Sequence, residues 1–170
     1  QELGRDRADR GLAERARVEV PDALAHGVHR GLFSLEVDRL DEDLIRSCYH
    51  DDSFDDHGHW KGNGQDFAAF IVESLRERSH HTTHAVANVL IEIDPSDPDK
   101  ARSEAYSLAY LRRNDEAGTE WLDFFSGRYI DKFERRNGEW KISHRVVVHD
   151  WAISNPLDTT GFPLPMDSFI

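Results

Sequence analysis

The second half of the chain alternates long β-forming runs with short turn signals, and this pattern restricts the fold more than any other feature. Four runs, 82–93, 102–112, 121–135 and 139–151, are rich in β-branched and aromatic residues. Between them lie Asp94-Pro95-Ser96-Asp97-Pro98, then Asn114-Asp115-Glu116-Ala117-Gly118, then Asn137-Gly138. Gly, Asn and Asp supply turn conformations, and Asn-Gly between two strands is a specific hairpin signal. Connections this short join antiparallel neighbours, so the four runs predict a meander.

The first half reads differently. Pro21 suits a first helical position and Asp22 a first turn. Leu24, Val28, Leu32, Leu35 and Val37 then make an apolar stripe that predicts a helix to about Asp38. Asp41 is placed as an N-cap for a short helix carrying Leu44, Ile45 and Cys48. Ser53 to Asp56 reads as a short strand, and Gly58 to Gly64 as a turn. Phe67, Phe70, Ile71, Ser74 and Leu75 fall at helical spacing. Helices followed by a meander give an α+β class, with helices covering one face of a curved sheet.

At 170 residues the chain suits one domain with a real core. A net charge of −12 argues against a nucleic-acid or anionic-membrane partner, because no basic surface is available to release counterions. No apolar run approaches a membrane span, nothing at the start resembles a secretory signal, and a cytoplasmic location is expected. Cys48 is the single cysteine, which rules out an intramolecular disulfide or a Cys-based zinc site. Residues 1–20 read as a charged extension and 21–151 as the domain. Residues 152–170 form a Pro-rich tail with no regular structure expected after Ser154. Its Leu157, Phe162, Leu164, Met166 and Phe169 suggest that it covers a pocket mouth or a subunit interface.

Three residues far apart in sequence carry the chemistry. Asp38 ends the first helix, His84 opens an apolar strand, and Arg145 lies in the last one. They supply an orienting carboxylate, a base and a fixed cation, a set suited to taking a proton from carbon without a cofactor. The histidines hold a rival reading. His57 and His59, with Asp55 and Asp56 beside them, are spaced to share one side of a strand, and imidazole with carboxylate suits Zn, Fe or Mn. No metalloenzyme motif accompanies them, and Gly58 places the pair in a loop.

Val37-Asp38-Arg39, the short helix ending Arg46-Ser47-Cys48-Tyr49-His50, Asp55-Asp56-His57-Gly58, Thr83-His84 and Phe133–Ile142 together resemble the SnoaL-like branch of the nuclear transport factor 2 superfamily. The resemblance covers roughly Leu24 to Trp151. It implies a cone-shaped α+β barrel with an apolar pocket at its open end. It also implies a cofactor-independent lyase with His84 as base, Asp38 as its partner and Arg145 as anion stabiliser. The substrate implied is a hydrophobic aromatic or alicyclic small molecule. The reaction is then dehydration, dehydrohalogenation or the formaldehyde-releasing cleavage of a lignin-derived diol, with a homotrimer or homodimer as the assembly. Tyr49, Asp56, His57, Tyr106, Tyr110, Tyr129 and Trp151 are the expected pocket residues. A non-catalytic binding module, an isomerase and a metal-dependent enzyme remain open as alternatives.

Overall fold

The computed structural model describes residues 33–158. The expected extension at 1–20 and the tail from 159 onward lie outside the described residues. Residues 33–39 are helical (α1), followed by α2 at Glu42–Ser47 and α3 at Gly64–Arg78. The strands are β1 Tyr49–Asp56, β2 Lys61–Gly62, β3 His81–Asp94, β4 Asp97–Asn114, β5 Glu120–Arg136 and β6 Glu139–Pro156. Asp41 caps α2 as expected, its side chain accepting from the Leu44 N–H at 3.1 Å. Asn63 does the same for α3, accepting from Gln65 at 2.7 Å.

These six strands form one sheet in the order β2-β1-β6-β5-β4-β3. Among the described residues only the β1–β6 pair is parallel. The sheet is not closed: β2 and β3 are its edges, so the expected barrel is an open, curved sheet. Bulges interrupt the ladders at Ala87/Leu90, Ser126/Gly127 and Lys132/Phe133. Each adds local twist, which lets strands of up to 18 residues wrap rather than lie flat. Asn88 at the first bulge takes φ +48°, and Asn137 and Gly138 take +54° and +85°, the paired positive values of a tight hairpin turn.

Helices α1 and α3 pack on the concave face. Phe33, Val37, Phe67, Val72, Phe133 and Ile142 are among the side chains that form the core there. Three sequence readings change. Tyr49 and His50 belong to β1 and not to the helix before it; both are buried, which breaks the alternation a strand normally shows. The turn after β3 is only Pro95-Ser96, so Pro98 sits in β4 before β5 begins to pair, where a missing N–H costs no ladder bond. Strand β6 runs to Pro156 against Trp121, so residues 152–156 are regular structure, and the proline ends the strand.

Candidate active site

The concave face and its helices enclose a cavity of about 490 Å³. Its interior is apolar, with Phe33, Val37, Phe67, Ile71, Leu75 and Val147 on the walls. A cavity of that size suits a one- or two-ring molecule. The rim is polar: His59, Arg78, Asn114 and His149 are exposed lining residues. Arg78 bonds Ser74, through its carbonyl and hydroxyl. Arg113, also a lining residue, is held by Asp123 at 2.7 Å.

Asp38 and His84 meet as the sequence suggested. His84 Nδ1 lies 2.6 Å from Asp38 Oδ1, and Asp38 Oδ2 accepts the His84 backbone N–H at 2.8 Å. The Thr82 hydroxyl adds a third bond to Asp38 Oδ1 at 3.0 Å. One carboxylate at the end of α1 therefore clamps both the ring and the backbone of His84 on the edge strand β3. Burial opposes the charge on Asp38, but the His84 ring, the His84 N–H and the Thr82 hydroxyl outweigh it and hold the carboxyl below its ordinary range. A carboxylate at Nδ1 fixes the proton there and leaves the Nε2 lone pair free to accept one. His84 lines the cavity.

Arg145 stands behind the wall. It has no exposed surface, and its Nε and Nη2 donate to the two oxygens of Asp131 at 2.8 and 3.0 Å. Its guanidinium lies 4.2 Å from both the Phe33 and Tyr129 ring centres, and those rings face the cavity. The expectation that Arg145 offers its charge directly to a ligand is not met by this placement. Its Nη1 reaches the Tyr49 hydroxyl at 3.5 Å instead.

Among the expected pocket residues, His57 and Tyr129 line the cavity. Tyr49 is a core residue whose hydroxyl donates to Asp55. Asp56 faces outward to Lys61 at 2.8 Å, because strand alternation sends Asp55 in and Asp56 out. Tyr106 and Tyr110 also face away, since Ser107 and Ala109 take the inward positions of β4. Trp151 lies beyond the Ser126/Gly127 bulge and packs on Phe124 of the convex face. Burial raises the pKa of the Tyr129 phenol against the pull of Arg145 and Ser107, so it keeps its proton.

Sequence reasoning missed Asp131, Asp55 as a buried group, His149 and Arg78. Asp131 was findable, because it falls two residues from Tyr129 and Phe133 on the inward face of β5. Among the described residues no three His, Cys, Asp or Glu side chains are placed to hold a metal ion. His57 stacks instead on Phe67, ring centres 4.0 Å apart. His59 is pushed down in pKa by burial and by the neighbouring His57, Arg78 and His149.

The SnoaL-like domain family model matches residues 17–146 of the chain. No curated protein matches its sequence. Similar solved structures include hexachlorocyclohexane dehydrochlorinase LinA-type3 from Novosphingobium barchaimii LL02, at 22% identity and TM-score 0.68, covering 85% of this chain and 96% of that one. A protein provisionally assigned as a scytalone dehydratase from Novosphingobium aromaticivorans DSM 12444 has 17% identity and TM-score 0.69, covering 81% and 90%. A point variant of a protein of unknown function from Mycobacterium tuberculosis has 20% identity and TM-score 0.64, covering 76% and 72%. At these identities the likeness shows the fold.

Proposed function

The chain belongs to the SnoaL-like domain family, and on that premise we propose that it is a cofactor-independent lyase of a hydrophobic aromatic or alicyclic small molecule. The observation that carries this reading is the Asp38–His84 pair, 2.6 Å apart, at the wall of an apolar cavity. His84 Nε2 takes a proton from the substrate, and Asp38 holds the ring and stabilises the imidazolium that forms. The electrons of that bond form the new double bond as the leaving group departs. The similar dehydrochlorinase and dehydratase are named for reactions of this kind.

Tyr129, protonated and on the cavity wall beside Ser107, donates to oxygen that gains charge as the proton leaves. Arg145 supports that wall from behind and is a positioning residue. We further assign the convex face of the sheet to contact with a second copy of the chain. The test is a screen of aromatic and alicyclic alcohols, halides and diols, read for alkene or formaldehyde with a chelator present. Wild type turns over at least one class, and His84→Ala loses about 10²–10⁴-fold. Unchanged turnover in His84→Ala would overturn the assignment.

A further inference from the structure

We propose that His57, oriented by Asp55, is a second catalytic residue of the cavity, the general acid that protonates an oxygen leaving group on the wall opposite His84. The proposal rests on the elimination reading above and adds its leaving-group class, hydroxyl and not halide.

The topology sets the two rings apart. His57 follows β1 near one edge of the sheet, while His84 lies on β3 at the other edge. Between them β6, β5 and β4 contribute Val147, Tyr129 and Ser107 to the same cavity. A molecule held there has one imidazole on each side.

His57 also carries the equipment of an acid. Its Nε2 lies 3.0 Å from Asp55 Oδ1, at an angle too oblique for a hydrogen bond, and neither atom has another partner among the described residues. Catalytic pairs in ligand-free structures are commonly misaligned in this way and tighten when substrate binds. Asp55 itself is fully buried, and the Tyr49 hydroxyl donates to its other oxygen. The buried cation Arg145, opposite Asp55 across the strands, is held by both oxygens of Asp131 and reaches Asp55 through the Tyr49 hydroxyl. That leaves the Asp55 oxygen facing His57 without a bonded donor among the described residues. A buried carboxylate needs a compensating charge, and the imidazolium of His57 is the group beside it. With Nε2–H turned to Asp55, the other N–H of the imidazolium is left to donate; Nδ1 is neither bonded nor fully buried among the described residues. Stacking on Phe67 accounts for the ring being there. It does not account for a buried acid at Nε2.

The step balances. His84 Nε2 takes the proton on carbon, and the C–H electron pair becomes the double bond. The C–O bond breaks toward oxygen, and that oxygen takes a proton from His57 and leaves as water. His84 then loses a proton and His57 regains one through the open rim. Hydroxide leaves poorly without a proton, whereas chloride needs none, so His57 matters for one class and not the other.

The experiment compares 3-hydroxyindan-1-one with 3-chloroindan-1-one, following indenone by absorbance in wild type, His57→Phe, Asp55→Asn and His84→Ala. Phe at 57 keeps a ring on Phe67 but carries no proton, and melting curves verify that each variant folds. His57→Phe and Asp55→Asn are expected to lower kcat for the alcohol about 10²-fold or more, with KM and chloride elimination little changed, while His84→Ala loses both reactions. Equal losses on both probes, or none, overturn the role of His57 and leave His84 as base. A wild type inert toward both, in a protein that also fails the wider screen, overturns the elimination reading itself.

Discussion

Asp38 binds three donors with one carboxylate, so its charge is worth more in the folded chain than in the unfolded one. Its folded pKa is lowered, so its stabilisation is fully present above the unfolded value of about 3.9 and is lost as pH falls through the folded value. Urea unfolding of wild type and Asp38→Asn from pH 7 to pH 3 is expected to show a stability gap that is constant near neutrality and narrows in acid. A gap as wide at pH 3 as at pH 7 would refute the carboxylate's part in it. Arg145 behaves differently because it never meets water. Arg145→Met removes one ion of a fully buried pair, an expected loss of about 3–5 kcal/mol. Arg145→Met with Asp131→Leu removes both charges and is expected to recover most of that loss in the same urea titrations. Recovery fails if the pair's value lies in specific geometry and not in mutual neutralisation.

The meander was legible in the sequence because its strands alternate and its turns carry Asn, Gly and Pro. All four predicted runs sit inside β3 to β6, each within a few residues at its ends except β4 and β6, which run five residues beyond the predicted start and end. Which side chains face inward is also legible in principle from the alternation of small and large residues along each strand. On β4 Ala101, Ser103, Ala105, Ser107 and Ala109 are the buried set, so Tyr106 and Tyr110 had to point out. The Asp38–His84 contact could be read only through a family pattern, since 46 residues separate the two and spacing alone says nothing. The Arg145–Asp131 pair depends on the β5–β6 register, which places the two residues directly opposite. Strand β1 was the hardest element, because Tyr49 and His50 are both buried and then Asp51 and Asp52 are both exposed. Its packing gives a test at the element scale. A Cβ at Gly64, the first residue of α3, would strike the Tyr49 ring and lie 2.7 Å from Ser53 Oγ. Tyr49 is fixed by its bond to Asp55, so α3 must shift instead. Gly64→Ala is expected to cost about 1–3 kcal/mol, at about 2–4 °C of Tm per kcal/mol. An unchanged melting curve would mean that the α3–β1 contact is softer than its geometry implies.

The charge of the whole molecule decides where it can meet a copy of itself. At −12, most of its surface repels a second chain. The convex face of the sheet is the exception. Tyr110, Phe124 and Trp151 pack in a row of tilted rings there, with ring centres 4.7 and 5.0 Å apart, and Tyr106, Leu90 and Ile153 extend the exposed apolar surface. The nearby charges are largely paired, Arg128 bonding both Glu104 and Asp150 and leaving one net negative charge. Trp151 is 56% exposed, far more than a large aromatic side chain in a lone domain normally is. An apolar patch whose charges are mostly paired is self-compatible, as symmetric contact between identical surfaces requires. Light scattering on the purified chain is therefore expected to give a multiple of its 19.6 kDa mass. Trp151→Glu with Tyr106→Glu adds two like charges to each copy and should shift the mass to the monomer. The cavity opens on the other side of the sheet, so the double variant should still hold a small aromatic ligand, measured by its effect on Tm. A wild-type monomer, or an assembly indifferent to both substitutions, would overturn the assignment of this face to a second copy of the chain.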